Sequence, residues 1–144
     1  MAKITRTFTI NAPVEKVFSF AAEDPTNLPK FYPSLIEVKN IKPSPAGGYN
    51  FSWIYKMAGM RFEGATETIE YITNQRIVTK STKGIKTTSV YTYEPEDGGK
   101  KITSETEYTV PVPLLGKLAE AIILKLNENE TNAVIANLKA LMEG

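Results

Sequence analysis

The sequence predicts an α+β fold in which a curved antiparallel β-sheet wraps around a long C-terminal helix, with two short helices after the first strand. Three observations predict it. In several segments before residue 110, apolar residues alternate with polar ones, which is typical of strands with one buried face. Short turn-forming segments separate these strands, which favours an antiparallel meander. After Pro111-Val112-Pro113 the apolar residues follow helical spacing instead.

The first strand is expected over residues 3–10. Ile4, Phe8 and Ile10 share one face, and threonines occupy the other face. Arg6 is the exception, because it is a charged residue on the apolar face.

Two short helices are expected next. Pro13 suits the first position of a helix, and Asp24-Pro25 has the form of a second helix start, with an Asp cap followed by Pro. The proline-rich segment 28–33 then forms a structured elbow rather than a regular element.

The rest of the chain reads as six strands and one helix, and no composition shift marks a domain boundary. We therefore expect one domain over residues 1–144, with the long helix over 114–142. The six strands are expected at 35–42, 48–57, 60–72, 76–83, 86–94 and 100–110.

One strand register can be tested within the sequence. If Ala58-Gly59 is a two-residue hairpin turn, Trp53 faces Gly64 and Tyr55 faces Phe62. One face of this hairpin then collects the aromatic residues, and the other collects most of the charged ones. A slip of one residue would mix the two sets, so the pattern supports this register.

The inner faces of the strands are aromatic and rich in hydroxyl groups. Thr106 and Tyr108 share such a face of the last strand with Ile102 and Ser104. This composition is typical of a pocket wall, which is mostly apolar with a few polar groups. It also fits an ordinary core in which tyrosines send their hydroxyls to the rim.

The long helix shows an apolar stripe at helical spacing, and Asn129 and Asn137 fall within it. Small alanines beside these amides indicate that the middle of the helix faces a space. The alternative is that Asn129 marks a kink. The stripe consists of Leu115, Leu118, Ala119, Ile122, Leu126, Ala133, Ala136 and Ala140.

The composition excludes several classes of chemistry. The chain has no Cys and no His, which excludes disulfides, thiol catalysis, Cys/His zinc sites and every catalytic triad with a His base. Lys plus Arg is 17 against 16 for Asp plus Glu, so a formal charge of +1 gives no general attraction to nucleic acid. Neither a signal peptide nor a membrane span is expected, and the protein is expected to be cytoplasmic.

Charged residues offer few candidates for catalysis. Glu63 and Glu67 lie about 13 Å apart along a strand, too far for a hydrolytic pair. Glu128 and Glu130 are expected on a solvated face, and no metal site is predicted. If Gly84-Ile85 forms a turn, Lys80 pairs with Ser89 and shares a face with Tyr91 and Tyr93, although an exposed Lys80 is the usual situation for lysine.

Four segments occur in a characteristic order, namely Phe8 to Phe18, Asp24-Pro25, the elbow 28–33 and Tyr108 to Gly116. Their order and spacing resemble the START-like, helix-grip superfamily, in particular its polyketide cyclase and coenzyme Q-binding branch. The resemblance implies a deep cavity between sheet and helix for lipids, quinones, sterols or polyketides. It implies no catalytic residue, because this branch shares no catalytic motif.

Binding or carrying of an apolar small molecule is therefore the first functional hypothesis. A cyclase-like enzyme is the alternative, and a module that contacts a protein or ribosome is the third. We expect no cofactor, no catalytic residue and no nucleic-acid partner. The predicted cavity residues are Phe51, Trp53, Tyr55, Phe62, Tyr91, Tyr93, Thr106, Tyr108, Leu118, Ile122, Leu126 and Asn129.

Overall fold

A computed structural model describes residues 2–57, 59–83, 87–99, 101–110 and 117–143. It confirms the α+β architecture, in which a curved antiparallel sheet holds a long C-terminal helix. The strands are β1 (Ala2–Ile10), β2 (Leu35–Pro43), β3 (Tyr49–Met57), β4 (Met60–Ile72), β5 (Arg76–Lys83), β6 (Thr88–Glu96) and β7 (Lys101–Val110). The helices are α1 (Val14–Phe18) and α2 (Lys117–Glu143), with a π-helical turn at Ser19–Glu23 and 3₁₀ turns at Pro25–Lys30 and Asp97–Gly99.

The first short helix begins one residue later than predicted, at Val14, and the second begins at Pro25 as predicted. Pro13 precedes α1 in an extended conformation, with φ −63° and ψ 148°. Asp24 caps the 3₁₀ turn at Pro25–Lys30, because its side chain accepts a hydrogen bond of 3.0 Å from the backbone N–H of Thr26.

The sheet has seven strands in the order β1-β7-β6-β5-β4-β3-β2, and all neighbours are antiparallel. The strands β2 to β7 form the predicted meander. Because β1 pairs with β7, the two edges of the sheet are β1 and β2.

The helix α2 contacts the chain near both edges of the sheet. Arg6 of β1 lies 4.0 Å from Glu128, measured from Nη2 to Oε1. Just before β2, the backbone N–H of Ser34 donates a 3.1 Å hydrogen bond to Glu130. These contacts correct the expectation that both glutamates lie on a solvated face.

The C-terminal half of α2 completes the main core. Leu138 and Met142 are buried together with Ile10, Ala12, Val14, Val17 and Phe31. Asn137 holds the helix against the elbow, since its side-chain amide donates a 3.1 Å hydrogen bond to the carbonyl of Phe31. These contacts with α1, β1 and the elbow hold α2 across the sheet.

The predicted apolar stripe of α2 is wrong in this half of the helix. Ala136 and Ala140 are exposed, whereas Leu138 and Met142 are buried and Val134 packs against the core. The physical reason is that burial of a large apolar side chain removes far more apolar surface from water than burial of Ala does. The predicted helix start at Leu114 lies outside the described residues, and the described helix begins at Lys117.

No helix in the described part of the chain combines the length and the apolar character needed to cross a membrane.

Candidate functional site

The hairpin of β3 and β4 has the predicted register. Trp53 pairs with Gly64, Tyr55 with Phe62, and Met57 with Met60. Gly59 has a φ of +75°, as a tight turn requires, and its predicted turn partner Ala58 lies outside the described residues. The indole of Trp53 lies directly over Gly64, where a Cβ atom would be 2.4 Å from Cζ2.

Trp53 is held by two contacts on its own face of the sheet. Its indole N–H donates a 2.8 Å hydrogen bond to the hydroxyl of Thr66. Its ring meets the ring of Tyr55 edge-to-face at a centroid distance of 5.2 Å. Ile54 belongs by register to the opposite face, the one that carries the charged residues of the hairpin. It is only 1% exposed, so this face is also buried at Ile54.

Four tyrosines converge where the elbow meets the sheet. Tyr32 comes from the elbow, Tyr55 from β3, and Tyr91 and Tyr93 from β6. The hydroxyl oxygens of Tyr32 and Tyr91 are 3.4 Å apart. We call Tyr32, Tyr55, Tyr91 and Tyr93 the phenol cluster. It combines aromatic surface with hydroxyl groups that can donate or accept hydrogen bonds.

Tyr32 is absent from the predicted cavity residues. It lies between Pro29 and Pro33, in a segment without helical or strand spacing, so no periodic pattern assigns its side chain to a face. The only signal in the sequence that could have indicated Tyr32 is composition, since two adjacent aromatic residues, Phe31 and Tyr32, lie between prolines. These two rings are 5.1 Å apart in the structure.

Burial disfavours the ionisation of two tyrosines of the phenol cluster. Burial raises the pKa of Tyr32 well above its usual value, and the nearby Tyr91 and Tyr55 add to this effect. Burial also raises the pKa of Tyr93, with a smaller contribution from Tyr91. A neutral phenol keeps its O–H, so both groups remain hydrogen-bond donors at physiological pH.

Stability is expected to fall when the pH rises above about 10, the usual pKa of an exposed tyrosine. Above that pH the unfolded chain loses the protons of Tyr32 and Tyr93 while the folded chain keeps them. The folded state then binds more protons, so the free energy of unfolding decreases with pH, whereas below about pH 10 these groups contribute no pH dependence.

Urea denaturation at about pH 8 and about pH 11 measures this loss. Tyr32→Phe and Tyr93→Phe should each reduce it, whereas Tyr49→Phe serves as a control. An unchanged loss in both of the first two variants would contradict the expectation.

The register of β5 and β6 differs from the prediction by one residue. Thr79 pairs with Ser89, and Lys80 pairs with Thr88. Lys80 therefore points away from the face of Tyr91 and Tyr93, and it is exposed. The predicted turn at Gly84-Ile85 lies outside the described residues. Both faces of β5 carry similar residues, so the sequence pattern did not discriminate between the two registers.

The predicted cavity residues divide into three groups. Those that are half-buried are Phe51, Trp53, Tyr55, Phe62, Tyr91, Tyr93 and Leu126. Asn129 is exposed, which corrects its predicted position, because the buried side of α2 is turned toward Val134 and Leu138. The remaining four lie outside the side chains that the structure describes, namely Thr106, Tyr108, Leu118 and Ile122.

Two open depressions lie at the rims of the sheet. One, of about 820 Å³, is bordered by α1 and by the ends of β5, β6 and β7, and Tyr93 forms part of its wall. The other, of about 420 Å³, is bordered by β2, β3 and β4, with Phe51 in its wall. An enclosed cavity bounded by Leu118 and Ile122 stays a prediction.

The charged residues do not form a metal site in the described part of the chain, where no group of three or more Asp and Glu residues could hold an ion. Glu63 is exposed and lies on the opposite face of β4 from Phe62. Arg6, by contrast, lies on the face that α2 covers and contacts Glu128.

Comparison with known proteins places this arrangement in context. Residues 1–143 match a family described as polyketide cyclase / dehydrase and lipid transport. A search of curated proteins finds no match.

Solved structures share the fold at low sequence identity. A START superfamily protein from Mycobacterium smegmatis has a TM-score of 0.80 at 16% identity, with 98% of this chain and 97% of that chain covered. The ZhuI aromatase/cyclase from Streptomyces sp. R1128 has a TM-score of 0.84 at 13% identity, with coverage of 99% and 93%. The di-domain aromatase/cyclase BexL of the BE-7585A biosynthetic pathway has a TM-score of 0.74 at 18% identity, with coverage of 99% and 50%.

Proposed function

Because this chain belongs to the polyketide cyclase / dehydrase and lipid transport family, we propose that it binds an apolar small molecule between the sheet and α2. The observation that carries the proposal is the phenol cluster. Four tyrosines from the elbow, β3 and β6 meet there, and burial raises the pKa of Tyr32 and Tyr93 above the ordinary value of a phenol. Small-molecule sites have this composition, with aromatic walls and a few hydroxyls that orient the ligand.

The chemistry of the cluster favours ligands with oxygen acceptors on an apolar body. Phenol O–H groups can donate hydrogen bonds to the carbonyl oxygens of quinones, sterols or polyketides. Trp53 is linked to the cluster through the ring of Tyr55, so its fluorescence should report on an occupied site.

We expect the emission of Trp53 to shift or be quenched when the protein is titrated with menadione, dodecanoic acid or cholesterol. Tyr32→Phe and Tyr91→Phe should each weaken the binding of the quinone about fivefold, since each removes one hydroxyl near the ligand oxygens.

Tyr49→Phe is the matched control for this experiment. Tyr49 lies on the same strand as Tyr55, about 20 Å away along β3. Calorimetry should accompany the titration. Heat of binding without any change in Trp53 emission would remove Trp53 from the site, and no binding by any of the three compounds would contradict the proposal.

A cyclase-like reaction is the second candidate, and the Tyr32–Tyr91 hydroxyl pair favours it. When the enolate carbon of a polyketide attacks a carbonyl of the same chain, negative charge develops on the oxygen of that carbonyl, and a neutral phenol can donate a hydrogen bond to this alkoxide. Incubation with a linear poly-β-ketone thioester tests this candidate. Mass spectrometry would then detect a product that has lost water, and an unchanged substrate would leave binding as the function.

A further inference from the structure

Arg6 is a cation on the covered face of the sheet. Along β1 the residues Ile4, Arg6, Phe8 and Ile10 alternate with threonines, and Ile4 and Ile10 are 4% and 0% exposed. Arg6 itself is half-buried. A guanidinium in such a row has lost part of its hydration, so a nearby negative charge stabilises it more than it would in water.

The contacts of this guanidinium among the described residues are loose. Its Nη1 donates a hydrogen bond of 3.1 Å to the carbonyl of Thr5, and its Nη2 lies 4.0 Å from Oε1 of Glu128. An optimal Arg–carboxylate pair makes two parallel hydrogen bonds of about 2.7–2.9 Å. Among the described residues, the guanidinium therefore holds a carboxylate nearby without using its full donor capacity.

Arg6 also lies in line with the phenol cluster. Thr106 of β7 pairs with Arg6 on one side and with Tyr91 on the other. Two strand spacings separate Arg6 from Tyr91, which corresponds to about 10 Å. An apolar molecule that spans this distance would meet a cation at one end and phenol groups at the other.

We propose that Arg6 binds the carboxylate of an apolar monocarboxylic acid and that Glu128 occupies the same place when the ligand is absent. This inference rests on the proposed function and adds the charge of the ligand. Displacement of Glu128 costs little, because both side chains are about one-third exposed, at 35% and 36%, and such pairs contribute little stability. The departing Glu128 can be solvated by water at the helix surface.

A single negative charge fits this place better than a double one. Glu128 shows that a carboxylate is accommodated next to Arg6. After its displacement Glu128 stays on the neighbouring helix surface, where it repels a doubly charged ligand more strongly than a singly charged one. A phosphate monoester, which carries more negative charge, is therefore the less favourable ligand.

The test compares dodecanoic acid with methyl dodecanoate, which have the same chain and differ in charge. Binding of each to the full chain is measured by calorimetry at about pH 8, where the acid is ionised. Arg6→Gln should weaken the binding of the acid about tenfold and leave the ester unchanged. Glu128→Gln should strengthen the binding of the acid several-fold, because it removes the competing carboxylate.

Lys3→Gln is the matched control. Lys3 lies on the same strand and loses the same charge in this variant, but it is exposed and pairs with Glu107 on the other face at 3.3 Å. It should leave both affinities unchanged. Arg6→Lys should retain part of the preference for the acid, because it keeps the charge and loses the forked geometry.

The outcomes separate this inference from the proposed function. If the ester binds but the acid has no advantage, or if Arg6→Gln weakens both equally, the role of Arg6 is wrong while the apolar site stands. Tighter binding of dodecyl phosphate than of dodecanoic acid would overturn the choice of a carboxylate. If neither the acid nor the ester binds, the proposed function fails and this inference fails with it.

Discussion

Gly64→Ala is expected to destabilise the protein by about 3 kcal/mol, the upper part of the range for overpacking. A Cβ atom at this position would lie 2.4 Å from Cζ2 and 2.5 Å from Cη2 of Trp53, and 2.6 Å from the carbonyl oxygen of Lys83. The indole is held by Thr66 and Tyr55, and the carbonyl belongs to the backbone of β5. Neither neighbour can move away without breaking its own contacts.

Urea denaturation with a matched variant measures this effect. Gly98→Ala is the control, since a Cβ atom there has nothing within 4 Å and the cost comes only from its φ of +68°. The double variant Trp53→Phe with Gly64→Ala should recover part of the loss, because phenylalanine lacks the two closest indole atoms and the Lys83 carbonyl remains. Equal stability of Gly64→Ala and wild type would show that the indole does not lie over Gly64.

Phe18→Ala is expected to cost about 3–5 kcal/mol, as for other large aromatic side chains removed from a core. Phe18 is 0% exposed and is the largest fully buried side chain among the described residues. Its ring meets Tyr71 and Tyr93 edge-to-face at 5.4 Å each, so the truncation removes two aromatic contacts as well as apolar volume.

The neighbouring Phe20 is the control for this experiment. It lies in the π-helical turn that follows α1 and is half-buried, so Phe20→Ala should cost clearly less. Phe18→Leu should recover much of the lost stability, because it refills most of the volume. A loss for Phe18→Ala no greater than that for Phe20→Ala would contradict the placement of Phe18 in the core.

The contrast between two hairpins shows what the sequence pattern could determine. The β3–β4 register was predicted correctly because aromatic residues and charged residues separate onto different faces. In β5, Ile77 and Val78 are each 7% exposed, so both faces are apolar and the one-residue error was not detectable. The error concerns the pairing of Lys80 with Ser89, whereas Lys80 is exposed, as expected for a lysine.

The candidate site was predicted less completely than the fold for a related reason. Trp53, Tyr55, Tyr91 and Tyr93 lie on strands, where alternation assigns each side chain to a face. Tyr32 lies in an irregular elbow, and Asn129 lies on a helix whose alanines do not mark the buried side. The partner of Arg6 could not be predicted, because Glu128 is more than a hundred residues away along the chain.

The pairing of β1 with β7 has a consequence for the order in which the chain folds. Every other strand pairs with a neighbour in sequence, whereas β1 joins residues about a hundred positions apart, from Ile10–Ile102 to Ala2–Val110. During synthesis β1 therefore leaves the ribosome early and cannot pair until its partner β7, the last strand of the sheet, has been synthesised. The local hairpins of β2 to β7 can form meanwhile, since short loops close at low entropic cost. We expect the docking of β1 and α2 to be the late step, and pulse-labelling hydrogen exchange should find the amides of β1 protected after those of β4.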